Sequence, residues 1–197
     1  MPKGVPLTEE ELNRRRREIF RASVHLFVER GFNETSMREI AEAAGVGKST
    51  LYDYFPSKDE IMIFSVVDEV RQLQAWAEEI IAQELSAAEK LRRIMRKHLE
   101  YMLANKLMFL KISFEAQRLS FDNQQRIQVH RHAYQDMLAD LVQEGIRKGE
   151  FRPVKPLLAI RGIFSLLSSA VYTSRPTGSP EEMLMDTFDI VFKGLQA

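Results

Sequence analysis

Cysteine is absent from the 197 residues, which excludes a disulfide framework, a thiolate nucleophile and any Cys-ligated zinc or iron–sulfur centre. Proline and glycine are missing from a long interior stretch: Ser57 to Glu144, 88 residues, contains neither. An antiparallel sheet needs tight turns over such a length, and those turns lean on Gly, Pro and Asn-Gly pairs. Helices joined by polar corners do not. Long hydrophobic runs are also lacking. The longest uncharged apolar-rich stretch, Gly162 to Ser174, is well short of the ~20 residues of a membrane-spanning helix, and the first ten residues have no apolar signal-peptide core. A cytoplasmic protein without a membrane partner is expected. Neither sign of charge is in surplus, with 28 Lys and Arg against 28 Asp and Glu, so only the distribution of charge can point to a partner.

What is present is the composition of a globular chain, 45% apolar and 28% charged, large enough to bury a core without staples. Ser or Thr followed three residues later by Glu marks helix starts, because each side chain satisfies a free backbone N–H of the other's turn. The pattern stands at Thr8/Glu11, Ser36/Glu39, Ser57/Glu60, Ser86/Glu89 and, with proline at the first helical position, at Ser179 to Glu182. Gly31, Gly45 and Gly149 stand where helical patterns stop. These signals predict nine helices, near 8–30, 36–44, 47–54, 57–84, 87–104, 106–120, 123–148, 155–175 and 180–195, with residues 1–7 as a loose arm.

Apolar stripes agree with this all-α map. Leu91, Ile94, Met95, His98, Leu99, Met102 and Leu103 recur at helical spacing, as do Ile127, His130, Tyr134, Met137, Leu138 and Leu141. The last two helices are apolar around most of their circumference. A helix with two apolar faces must bury both, and in a chain this small the second face is expected to meet another subunit. Gly162, Ser165 and Ser169 offer a flat strip for close approach, and Phe188, Val191 and Phe192 are expected to join them in a homodimer interface.

The densest information lies between Thr35 and Phe55. Met37, Ile40, Ala41 and Ala44 form the apolar face of a two-turn helix, Gly45 allows a sharp exit and Val46 plugs the corner. The next helix buries Leu51 and Phe55 at i and i+4. Its other side presents Lys48, Ser49, Thr50, Tyr52 and Tyr54. Two short helices, a glycine turn and a donor-rich exposed face make a helix-turn-helix. An ammonium and hydroxyls suit phosphates and base edges, and no carboxylate stands in the first turn of the second helix. Ser36 and Lys58 open the flanking helices, where free N–H groups attract phosphate oxygens.

Thr35 to Lys58, with Ile40-Ala41, Ala44-Gly45-Val46, Thr50-Leu51-Tyr52, Tyr54-Phe55 and Ser57-Lys58, together with Ile19, Ala22, Leu26, Phe27 and Gly31-Phe32, resembles the TetR/AcrR family of bacterial transcriptional regulators. Beyond residue 60 the likeness is to the architecture and to the stretch Glu144 to Arg152. The resemblance implies that Arg38, Lys48, Ser49, Thr50 and Tyr52 lie near bases and that Thr35, Tyr54 and Lys58 lie near phosphates. It implies an N-terminal three-helix DNA-binding domain, residues 1–56, followed by a helical ligand-sensing and dimerisation domain, residues 57–197. The partners would be a double-stranded operator, a second copy of the chain and a small-molecule effector, most simply for a repressor. Trp76, His98, Met102, Phe109, Tyr134 and Phe164 are candidates for the effector pocket, since aromatics with polar handles and adaptable Met line sites for bulky apolar molecules.

Other readings carry less. Gly47-Lys48-Ser49-Thr50 imitates the end of a phosphate-binding loop, but that motif needs glycine where Glu42 stands and a strand where a helix precedes. Arg14 to Arg17 spread around a helix turn and cannot all face one surface. Residues 1–58 hold ten Lys and Arg against nine Asp and Glu, so the head is barely basic. No acid stands at i±3 or i±4 of His98 to complete a metal cluster, no catalytic triad or elbow is recognisable, and nothing calls for a cofactor. A regulator without a small ligand, or a helical module that binds protein, remain the rivals to a ligand-responsive DNA-binding protein.

Overall fold

The computed structural model describes residues 8–195, which excludes the N-terminal arm. Among the described residues the chain forms nine α-helices: α1 Glu9–Arg30, α2 Met37–Ala43, α3 Lys48–Tyr54, α4 Lys58–Ile81, α5 Ala87–Ala104, α6 Lys106–Ala116, α7 Phe121–Arg147, α8 Pro156–Tyr172 and α9 Pro180–Leu195. The caps are where the Ser/Thr-to-Glu spacing places them. Thr8 and Glu11, and Ser36 and Glu39, form reciprocal boxes. Ser57 and Ser86 accept from the N–H of Glu60 and Glu89, and Ser179 and Glu182 again bond both ways. Gly31, Gly45 and Gly149 have φ of 97°, 64° and 73°, values that side chains with a Cβ rarely adopt.

The described chain divides into two compact units. The first comprises residues 8–67 and 111–124, the second residues 68–110 and 125–195. The first unit thus extends past residue 56, takes the opening turns of α4, and recruits the end of α6 and the start of α7. Its core joins Ile19, Leu26 and Phe27 of α1 to Ile40 and Ala41 of α2, Leu51 of α3, Phe55 and Ile61. Burying a side chain of this size contributes roughly 1.5–3 kcal/mol; in a seven-residue helix such as α3, Leu51 is the anchor that fixes its orientation.

In the second unit, α4, α5, α7, α8 and α9 share one core, from Val70 and Leu73 through Leu91, Met95 and Leu99 to Leu138, Val142, Ile160 and Leu167. Phe188, Val191, Phe192 and Leu195 of α9 belong to it. The sequence pattern assigns Phe188, Val191 and Phe192 to a dimer interface. They instead face inward, because α9 lays this side on α5 and α8, and its outward apolar residues are Met185 and Ile190. Arg152 closes the unit by donating from its backbone N–H to the Leu195 carbonyl at 3.0 Å and from Nε to the Gly194 carbonyl at 2.7 Å.

Candidate nucleic-acid interface

The helix-turn-helix is built outward from α1. The Ala41 carbonyl accepts from the Val46 N–H at 3.0 Å, which closes the corner that Gly45 permits. Only 3% of Ala41 is exposed, in a core it shares with Leu51 of α3 and with α1. Leu51 and Phe55 are 0% and 2% exposed; between and around them Lys48, Ser49 and Thr50 stand exposed and Tyr52 is 43% exposed. Tyr54 is half-buried against the same core. No side chain caps the start of α3, where Gly47 occupies the cap and no acid lies in the first turn, so its N–H groups are open to an anion.

Arg38 is exposed and pairs with Glu42 at 2.9 Å. A pair this exposed contributes little to stability and is easily exchanged for a base or a phosphate. Ser36 is committed to Glu39 through its cap, and Glu39 is also held by Arg30 at 2.8 Å. Those bonds pull the Glu39 carboxyl below the usual carboxylate range, the Ser36 backbone N–H first among them.

Two residues expected to touch phosphate are engaged elsewhere. Thr35 is 1% exposed, and its hydroxyl donates to the Gly31 carbonyl at 2.8 Å; the side chain holds the turn after α1. Lys58 donates to the Phe32 and Asn33 carbonyls at 2.7 and 3.1 Å and lies 4.9 Å from the centre of the Phe32 ring. Its ammonium closes the same turn from the start of α4. The arginine run divides as its spacing requires: Arg15 pairs with Glu18 at 2.9 Å, whereas Arg16 turns onto the Phe55 ring at 5.9 Å.

In the second unit, three of the pocket candidates form one aromatic cluster. His98 and Tyr134 stack with centroids 5.9 Å apart, His98 Nδ1 and the Tyr134 hydroxyl lie 3.3 Å apart, and Phe164 stands 5.1 Å from His98. Burial holds His98 down at about 4. Trp76 and Phe109 meet through Tyr101, edge-on to both at 5.4 and 5.7 Å, and Lys97 lies over the Trp76 ring. Met102 is buried in the core. The space framed by Trp76, Lys97, His98 and Tyr134 leaves no room for a water molecule.

A further group carries no recognisable sequence signal. Glu69 of α4 is mostly buried, and its Oε1 has no hydrogen-bond partner. Burial pushes Glu69 up to about 8, against the pull of Arg131 and with the push of Asp68. Among the described residues no three His, Asp or Glu side chains gather as a metal-binding group, and no helix is long and apolar enough to cross a membrane.

The fold and the exposed side of α3 define a helix-turn-helix DNA-binding regulator. The family model for bacterial regulatory proteins of the tetR family matches residues 19–63, and that for the tetracyclin repressor-like C-terminal domain matches residues 84–195. The chain belongs to the TetR family. Among its relatives, the fatty acid metabolism regulator protein of Bacillus subtilis is 27% identical over 157 residues, covering 79% of this chain and 81% of that one. Of the solved structures, the TetR family transcriptional regulator PfmR from Thermus thermophilus is 29% identical with a TM-score of 0.74, covering 91% of this chain and 99% of that chain. The ketosteroid transcriptional regulator KstR2 of Mycobacterium tuberculosis is 27% identical with a TM-score of 0.72, covering 93% and 95%.

Proposed function

We propose that the protein is a homodimeric, cytoplasmic repressor that reads a palindromic operator with α3 and leaves it when a largely apolar small molecule binds the second unit. The observation that carries this reading is the division of α3, with Leu51 and Phe55 inside and Lys48, Ser49, Thr50 and Tyr52 outside. Those four residues, with Arg38 after its release from Glu42, are the base-reading set, and Ser36 and Tyr54 flank them near the backbone. One seven-residue helix reads few bases, so a second copy is needed, with heads about 34–36 Å apart or at a related spacing.

Support for the dimer comes from α8 and α9. Gly162, Ser165 and Ser169 are exposed along one strip, a Cβ at Gly162 would meet nothing, and Leu158 of α8 and Met185 and Ile190 of α9 stand exposed. Support for repression and for an apolar effector comes from the relatives, one named as a regulator of fatty acid metabolism, another as an HTH-type transcriptional repressor. The aromatic cluster of His98, Tyr134 and Phe164, with Trp76, Met102 and Phe109, is the place such a molecule would open. The ligand acts through its preference for one state of α4, a helix whose residues belong to both units. A coupling of ~1–3 kcal/mol changes DNA affinity about 5–150-fold.

The test is to sequence the genomic DNA that the purified chain retains. An enriched palindrome with half-sites one turn or a related spacing apart supports the reading; uniform retention of all DNA, or none at low salt, removes it.

A further inference from the structure

In the second unit four helices bring polar groups to one largely buried place: Asp68 and Glu69 from α4, Tyr101 from α5, Arg131 from α7 and Tyr172 from α8, each within electrostatic reach of another member. Glu69 Oε1 is buried with no hydrogen-bond partner. Leaving a polar atom so placed costs about 1–3 kcal/mol, which a fold bears where something else uses the group. The surroundings are apolar: Tyr101 sits edge-on between Trp76 and Phe109, and Val70, Leu73 and Met102 line the adjoining core.

We propose that Glu69, Tyr101 and Arg131 form the polar end of the effector site and take the carboxylate of an otherwise apolar organic acid. This rests on the reading that the second unit senses a small molecule, and it names that molecule's class. A guanidinium presents paired donors that match a carboxylate, and it holds one better than an alcohol or a thioester. Glu69, kept protonated at neutral pH by its burial, is a donor and not a competing anion. Arg131 is itself mostly buried, and Glu69 and Tyr172 favour its charge against that burial; with Glu69 neutral, a ligand carboxylate would supply the anion in its place. The Tyr101 hydroxyl, which burial and the acids Glu69 and Asp68 hold protonated, is a further donor.

The experiment titrates the full chain with decanoate, 1-decanol and decanoyl-CoA, by calorimetry and by the fluorescence of its single tryptophan, Trp76. Wild type is expected to bind decanoate about tenfold more tightly than decanol, and Arg131→Gln to lose that preference. As pH rises through about 8, Glu69 ionises beside Asp68, Tyr101, Arg131 and Tyr172, repels the ligand, and decanoate affinity falls. Glu69→Gln, whose amide still donates, is expected to bind decanoate at pH 7 and to lose this pH dependence. That profile stands even where Arg131→Gln fails to fold.

The proposal is overturned by equal binding of decanol, by binding of decanoyl-CoA alone, by no binding of any probe, by a well-folded Arg131→Gln chain that keeps the preference, or by unchanged pH dependence in Glu69→Gln. Release of the operator by another class of compound, unaffected by Arg131→Gln, would end this proposal and leave the regulator reading standing. Failure to retain any specific DNA would end that reading instead.

Discussion

The Lys58 ammonium donates to the Phe32 carbonyl at 2.7 Å while standing over the same residue's ring. One side chain thereby fastens the start of α4 to the turn that follows α1. Lys58→Met keeps the alkyl stem and removes the charge-assisted bond and the ring contact, a loss of about 1–3 kcal/mol. The melting temperature of the chain is expected to drop by several degrees. The slope of log affinity against log salt is expected to stay unchanged, where loss of a phosphate contact would flatten it by about one unit. A flattened slope with an unchanged melting temperature would return Lys58 to the DNA.

Tyr52 touches solvent over 43% of its surface beside the wholly buried Leu51. Tyr52→Ala is expected to weaken binding to the retained operator by about 1–3 kcal/mol, with affinity for scrambled DNA, dimerisation and melting near wild type. Anisotropy titrations on both DNAs, alongside sedimentation, measure this. Full affinity for the operator would take Tyr52 out of the reading set.

His98 makes stability depend on acid. Unfolded, its imidazole takes a proton near 6.5; folded, burial holds it at about 4. Between those values the unfolded chain binds more protons, so stability present above pH 6.5 is lost as pH falls toward 4. His98→Phe preserves the ring and is expected to flatten that fall by an amount on the order of 2 kcal/mol. Denaturant midpoints at pH 7.5, 5.5 and 4.5 compare the two; parallel curves would show that His98 does not titrate in this window.

Gly145 lies in α7 where a Cβ would run into the Phe151 ring and come within 3.1 Å of the Ala87 Cβ. Alanine is favoured in a helix by about 1 kcal/mol, yet Phe151 is buried and would have to shift within the core. Gly145→Ala is expected to be destabilising by about 1–3 kcal/mol, read as a lower denaturant midpoint. A gain in stability would mean that Phe151 moves aside freely.

The helix starts and the head are legible in the sequence because their determinants are local. A Ser or Thr and a Glu three residues on, or Leu51 and Phe55 one turn apart, are neighbours in the chain and in space. The ends of α4 and α6 are less so: α4 stops at Ile81 and α6 at Ala116, short of 84 and 120, in stretches with no glycine or proline to mark them. Lys58 misleads because its acceptors lie 25 and 26 residues away, and a lysine at a helix start is the same letter whether it bonds a carbonyl or a phosphate. On α9 the apolar residues surround the helix, so periodicity does not say that Phe188 and Phe192 turn inward while Met185 and Ile190 turn out. Glu69 and Arg131 sit among ordinary polar positions, and only the packing of four helices brings them together.

The closed state of the ring cluster around His98 bears on how much signal the cell must supply. A molecule that enters only after those rings part binds with its intrinsic strength reduced by the fraction of chains that stand parted. Where the proposed effector enters between these rings, the dose at which genes respond is set as much by the grip of Phe164 on its neighbours as by the fit of the molecule, and a looser ring there would lower that threshold without adding a single contact.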